Sequence, residues 1–317
     1  MRKTTRLREL FYRRELFVLP GVANALQARM VEAAGFEAVH MSGGGTANCL
    51  LGLPDAGLAT LTEMVLNAGY IASAVQIPLL CDADTGYGNA LNVRHTVQRF
   101  LQAGAAGVHL EDQAYPKRCG HVAGIELVPL DEAIGKFRAA MDAKRELDPD
   151  FVVVARTDAR HAAGGGLAEA IRRAQAYRRE AGVDVVYFAG PESREEIAAF
   201  VAGVREVDAE VPIMGDTYAV QPPPTWEELQ ALGYAVAFYP GAAWTVANLA
   251  SWDYLHDLRQ RGAAAVAALQ QRTRGHPLAN FRINDLLGFP RLRELEQRYL
   301  PPERLRKYEE SSGIYTP

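Results

Sequence analysis

The chain has 317 residues, of which 49% are hydrophobic and 23% charged, so its composition is that of an ordinary folded protein with one large domain or two modest ones. A formal net charge of −4 excludes an electrostatic attraction to nucleic acid or to an anionic membrane and leaves small molecules and protein partners. No apolar run approaches the roughly 18–20 residues that span a bilayer.

The first segment, "MRKTTRLRELFYRRELFVLP", reads as a solvated helix. Glu9 and Glu15 interrupt its basic stretch and no apolar core follows, so a secretory leader is not expected. Eight short apolar runs then follow in order. They are "LFVLP" at 16–20, "AVHMS" at 38–42, "PLLCDAD" at 78–84 and "GVHLEDQ" at 107–113, then "FVVVART" at 151–157, "VVYFAG" at 185–190, "VPIMGD" at 211–216 and "VAFYP" at 236–240. They lack polar alternation, as strands buried on both faces of a parallel sheet do. The segments between them are helical in period. "ALQARMVEAAGF" ends at Gly35, and "LAEAIRRAQAYRREAG" ends at Gly182, a predicted C-cap. Eight βα repeats predict a (β/α)8 barrel over residues 1–261. Residues 262–317 predict a helical extension that packs on its own barrel or, as we prefer, on a neighbouring subunit. The three cysteines, Cys49, Cys81 and Cys119, have no metal-ligand spacing, and an odd, sparse set fits reduced thiols in the cytoplasm.

In such a barrel the chemistry sits where strands end. Strand two ends in Ser42, Gly43, Gly44 and Gly45, whose amides can approach an anion, although a lone glycine run is also an ordinary flexible turn. Strand three ends in Asp82 and Asp84, two apart and so on one face of a regular strand. Two like charges there call for a cation, and hard oxygen ligands suit Mg2+ or Mn2+. Strand four ends in Glu111 and Asp112, strand five in Arg156 and Asp158. Arg156 has the fork that grips a carboxylate; Asp112 and Asp158 serve equally well as helix caps. In "PKRCGH", Cys119 stands among Lys117, Arg118 and His121. Positive neighbours favour thiolate, which predicts a thiol that exchanges its proton near neutral pH.

The motifs "SGGG", "GLPDAGLAT", "DADTGYGNALNV", "HLEDQ", "PKRCGH" and "ARTDA" follow one another in the order and spacing of the isocitrate lyase/phosphoenolpyruvate mutase superfamily, which the chain resembles over roughly residues 5–260. The resemblance is nearest to methylisocitrate lyases, 2,3-dimethylmalate lyases and carboxyphosphonoenolpyruvate mutases, and the cysteine form of the loop is similar to that of the carbon–carbon lyases. It implies a barrel that binds Mg2+, an enolate-like intermediate, and a homotetramer whose post-barrel helices swap between subunits. It implies that Asp82 and Asp84 sit at the metal with Glu111 nearby through water, and that Ser42, Gly43 and Gly44 cradle a 2-oxo acid carboxylate. Arg156 would bind a carboxylate. Cys119 would act as acid and base on the carbanion half, with Lys117, Gly120 and His121 on its mobile loop, and Asp55 is a lesser site candidate.

Three positions depart from the family. Ala189 stands where relatives carry a glutamate that supports the metal, and Glu192, slightly onward, is a candidate replacement. Asp216 stands where asparagine is expected, and is a candidate substrate contact. Thr245 stands where tricarboxylate lyases carry arginine, which disfavours a tricarboxylate. The expected function is a Mg2+-dependent lyase that cleaves a 2-hydroxy di-acid to a 2-oxo acid such as pyruvate. The alternatives are a phosphonomutase, an oxaloacetate decarboxylase or hydrolase, or a barrel that binds a carboxylate without turning it over.

Overall fold

The computed structural model describes residues 1–310, 312, 313 and 315. All eight predicted strands form: β1 (Phe17–Val22), β2 (Val39–Met41), β3 (Leu79–Asp82), β4 (Gly107–Glu111), β5 (Val152–Thr157), β6 (Val185–Phe188), β7 (Ile213–Gly215) and β8 (Val236–Tyr239). Every pairing is parallel, β1 lies between β2 and β8, and the order runs on to β7 at the other edge. A bond from Ala235 N to Ile213 O, 2.8 Å, draws β7 and β8 together, so the sheet forms a nearly closed (β/α)8 barrel.

Helices follow the strands in sequence: α1 (Lys3–Tyr12) precedes the first, and α2 (Ala25–Ala33), α3 (Gly43–Thr46), α4 (Leu61–Ala74), α5 (Ala90–Gln102), α6 (Leu130–Leu147), α7 (Leu167–Ala176), α8 (Arg194–Arg205), α9 (Trp226–Leu232) and α10 (Ala242–Arg261) succeed them. Their starts are written in the sequence. Thr60 and Thr225 form capping boxes with Glu63 and Glu228, and Asn24 and Ser193 cap α2 and α8. After α7 a π-helical turn, Tyr177–Ala181, runs to Gly182 in the left-handed conformation, as predicted for that glycine.

Successive strand residues point to opposite faces. One set, including Val39, Cys81, Val108, Val153 and Val186, joins the helices in the outer core. The other set, including Leu19, Leu80, Val152, Val154, Tyr187, Met214 and Phe238, fills the barrel interior. α1 differs from the solvated helix that its charges suggest. Leu7, Leu10 and Phe11 recur at helical spacing and join that interior cluster, with Phe11 edge-on to Phe17 at 5.1 Å. The charged residues occupy the other face, where Arg8 pairs with Asp184 at 2.7 Å.

The chain divides into two compact units, Met1–Trp244 and Thr245–Pro317. The second holds most of α10 and then shorter helices, among them α11 (Ala263–Arg272) and α12 (Ile283–Leu286). Of the predicted extension, residues 311, 314, 316 and 317 lie outside the described residues. Among those described, no helix is long and apolar enough to cross a membrane.

Because Phe11 is buried to 1% exposure, Phe11→Ala is expected to cost about 3–5 kcal/mol, read as a fall in the denaturation midpoint. A loss below about 1 kcal/mol would show that α1 is not part of the barrel core.

Candidate active site

The inward set of strand positions carries the polar residues to one end of the barrel. Leu80 is followed by Asp82, His109 by Glu111, Val154 by Arg156, Tyr187 by Ala189 and Met214 by Asp216, each pair two residues apart. The apolar members fill the interior and the polar members stand at the C-terminal mouth.

Asp84 reaches the mouth differently from the sequence expectation. β3 ends at Asp82, and Asp84 has φ 46°, so the two aspartates are not neighbours on one strand face. A turn brings them together instead, with Asp84 N donating to Asp82 Oδ1 at 3.0 Å. The glycine run is likewise not a flexible turn. It forms the short helix α3, capped by Ser42, whose Oγ accepts from Gly45 N at 3.0 Å. The anion that its first amide meets is the protein's own, for Gly43 N donates to Asp82 Oδ2 at 3.2 Å. A Cβ on Gly43 would fall 2.5 Å from that oxygen, so only glycine fits. Gly44 packs beside Asp55.

Lys117 ties these parts together. It is 3% exposed, with Nζ 2.5 Å from Asp55 Oδ1 and 2.9 Å from Asp84 Oδ1. Burial opposes its charge, but Asp84, Glu111, Asp82 and Asp55 overcome that and hold it well above the ordinary lysine value. Arg156 stands at the same mouth, its side chain 11% exposed. Its fork is already engaged by Asp158, with Nε 2.8 Å from Oδ2 and Nη2 2.6 Å from Oδ1, and Nη1 lies 3.4 Å from Glu111 Oε2. Asp158 is thus an ion-pair partner, and Asp112 is not a helix cap either. Asp112 accepts from Asp158 N, Thr157 Oγ1 and Tyr177 Oη at 3.0, 2.8 and 2.6 Å, and faces Arg173 at 3.4 Å.

Asp84 and Glu111 are both pushed up by burial, Glu111 well above its ordinary range, against the pull of Lys117 on the first and of Arg156 on the second. Asp82 goes the other way. Burial opposes its ionisation, but His109, Lys117 and Arg156 hold it below the usual carboxylate range. Beneath Asp82 lie two histidines that the sequence reading passed over. His109 Nδ1 is 3.6 Å from Asp82 Oδ1, and His109 Nε2 faces His40 Nε2 at 2.9 Å, so one ring donates and the other accepts. Burial lowers His109 to about 4. The inward parity that links His109 to Glu111, and Tyr187 to Ala189, was the available signal for these residues.

Both Glu111 oxygens are buried without a hydrogen-bond donor. Among the described residues no three histidine, cysteine or acidic side chains converge closely enough to enclose an ion by themselves. That arrangement fits Mg2+, which is commonly held by one or two carboxylates with water and substrate oxygens completing its shell. One or two of Asp82, Asp84 and Glu111 would supply those carboxylates. Glu192 does not join them: half exposed, it pairs with Arg160 at 2.8 Å.

The loop carrying Cys119 lies against this cluster. Cys119 N donates to Asp55 O at 3.1 Å, and Tyr115 Oη donates to Gly57 O at 2.8 Å. A side chain on Gly120 would strike Arg156 Nη2 at 2.5 Å, so glycine lets the loop approach. The thiolate expected from the neighbouring charges is not favoured. Burial pushes the Cys119 thiol above its ordinary value and Asp55 adds to this. The His121 N–H, Arg156 and Lys117 oppose it without prevailing, because both cations are already paired with carboxylates. On the far rim, Asp216 is buried, with Oδ2 3.2 Å from Gly190 N and 3.3 Å from Tyr187 Oη. A strand-seven carboxylate thus abuts the end of β6, where Ala189 offers no polar side chain. Thr245 is the first residue of the second unit.

The sequence profile of the phosphoenolpyruvate phosphomutase family matches residues 7–257. The chain is 38% identical to 2,3-dimethylmalate lyase of Eubacterium barkeri, an alignment covering 94% of this chain and 99% of that one. Its fold superimposes on oxaloacetate acetylhydrolase bound to 3,3-difluorooxalacetate with a TM-score of 0.83 and 36% identity, over 93% and 96% of the two chains. A phosphonopyruvate hydrolase complex with oxalate and Mg2+ gives a TM-score of 0.81 and 33% identity, over 95% and 100%. With the motifs in place around one barrel mouth, the chain belongs to the phosphoenolpyruvate mutase/isocitrate lyase superfamily of enzymes.

Proposed function

We propose that the chain is a Mg2+-dependent carbon–carbon lyase that cleaves a 2-hydroxy di-acid, of the 2-alkylmalate class, to a 2-oxo acid such as pyruvate. The observation that carries this reading is the place of Cys119, on a loop packed against Arg156 and bonded to the Asp55 backbone, where burial pushes its thiol above the ordinary value. A lyase needs such an acid. When the bond breaks, its electron pair stays on the departing carbon, which takes up the proton of the Cys119 S–H, while the 2-hydroxyl gives its proton to a mouth carboxylate as it becomes the carbonyl of the 2-oxo acid. Asp82, Asp84 and Glu111 are the carboxylates of which one or two would hold a divalent cation, which would supply Lewis acidity towards the 2-oxo acid oxygens. Ser42, Gly43 and Gly44 shape the floor beneath the carboxylate. Lys117 keeps the loop seated and water away from the carbanion. Arg156, fixed by Asp158, offers its remaining Nη1 donor to substrate. The likeness to 2,3-dimethylmalate lyase over nearly the whole of both chains supports the substrate class.

Hydrolysis of a 2-oxo di-acid is a second reading, favoured by the comparable likeness to oxaloacetate acetylhydrolase. We further infer a cytoplasmic homotetramer with helices exchanged between subunits. The three cysteines stand as free thiols, and α10 has no buried residue while exposing Val246, Leu249, Trp252 and Leu255.

Cys119→Ser and Asp84→Ala, assayed with 2-alkylmalates and Mg2+, are each expected to lower pyruvate release by about 10²–10⁴. Full release by either variant would sink the lyase assignment, and release of oxalate from oxaloacetate would favour the hydrolase. Chelation should abolish turnover, with Mg2+ or Mn2+ restoring it; turnover that survives chelation would remove the metal from the reaction. Sedimentation should give about four times the 34.6 kDa chain mass, and Trp252→Glu with Leu255→Glu should lower it. A monomeric parent would refute the tetramer.

A further inference from the structure

We propose that Asp216 is a positioning residue that latches the Cys119 loop over the site by pairing with His121. The proposal rests on the reading of Cys119 as the proton donor and adds how that donor is held.

Asp216 is 2% exposed and follows β7 at the barrel mouth. Its Oδ2 is taken by Gly190 N and Tyr187 Oη. Its Oδ1 is buried and has no hydrogen-bond donor. Such an oxygen is costly unless a donor or a cation reaches it. His121 Nε2 faces it at 3.7 Å, a distance for charge pairing when the imidazole is protonated, which a small inward movement of the loop would turn into a hydrogen bond; the Tyr218 and Tyr234 hydroxyls also face this carboxylate. The imidazole is steered there by Tyr218, whose ring meets it edge-on at 5.2 Å and whose own Oη is fixed by Gly241 N at 3.0 Å.

His121 also connects to the thiol. Its backbone N–H pulls the Cys119 thiol towards the thiolate, and Val122 N closes a tight turn onto Cys119 O at 2.9 Å. Asp216 therefore acts on Cys119 through one intervening residue. The loop has its other anchors at Asp55 and Gly57, before α4, so His121 and Asp216 complete the closure from the opposite, β7 side.

The test is alkylation of Cys119 by iodoacetamide in the full-length protein, resolved by peptide mass spectrometry with Cys49 as internal reference. The loop bond after Arg118 is probed in parallel by limited trypsin digestion. Asp216→Asn and His121→Asn should each speed Cys119 alkylation and loop cleavage by roughly tenfold, and the double variant should be no faster than either single one, because one interaction is removed. A merely structural role would not move the pH profile. The groups facing the thiol are the His121 N–H, Asp55, Arg156, Lys117 and the Tyr218 hydroxyl, and burial is the largest influence on it. Opening the loop should therefore lower the midpoint of Cys119 alkylation towards that of an ordinary thiol. Unchanged alkylation in both single variants, or effects that multiply in the double variant, would overturn the latch. If Asp216→Asn does not fold, His121→Asn decides alone, since its side chain is 42% exposed. None of these readouts uses substrate. An open loop with undiminished kcat would refute the role given to Cys119 and leave the latch standing.

Discussion

The buried ammonium of Lys117 is the contact on which the site depends. Asp55, before α4, Asp82 and Asp84, at the end of β3, and Glu111, at the end of β4, converge on one end of the barrel, where their mutual repulsion would drive them apart. Lys117 touches Asp55 and Asp84 and faces the other two. It arrives on the same loop that carries Cys119, so the cation that lets the acids assemble also fixes where the thiol rests. Removing one partner from a buried ion pair leaves an uncompensated charge, at about 3–5 kcal/mol. The loop is therefore part of the folded site rather than a cover laid over it.

The architecture was legible because it depends on two periods. Apolar runs of strand length, repeated eight times with helices between, specify the barrel, and the alternation along each strand specifies which residues enter the mouth. Arg156 and Glu111 were found at strand ends for that reason, and His109 and Tyr187 obey the same rule although they drew no notice. What the sequence concealed was the pairing within the mouth. Nothing in "RTD" says that the aspartate occupies the arginine's fork, or that Asp112, from another strand, holds that aspartate by its backbone. Nor does "DAD" reveal the left-handed turn that swings Asp84 off the strand. These are tertiary choices between partners that lie far apart in the chain.

Ala189 and Asp216 looked like two independent losses when read as substitutions. In space they are one local arrangement: the carboxylate comes from β7 and accepts a hydrogen bond from the residue that follows Ala189. A carboxyl group stands at this rim one strand over from Ala189, and its free oxygen is turned towards the loop. From β3 to β5, Asp82, Glu111 and Arg156 follow the inward parity of the strands, so their positions at the mouth, though not their pairings, could be read from the sequence.

Lys117 and His121 are four residues apart, on either side of Cys119, and a lysine or a protonated histidine beside a cysteine ordinarily signals an activated thiolate. Here each faces a carboxylate on a different part of the rim: Asp55 and Asp84 for the lysine, Asp216 for the histidine. A charge already paired with a carboxylate exerts little net field on a third group, so burial decides and the thiol keeps its proton. The positive residues of "PKRCGH" thus set where the sulfur sits more than how acidic it is, and a thiol that retains its proton is suited to give that proton to a carbanion rather than to attack a carbonyl.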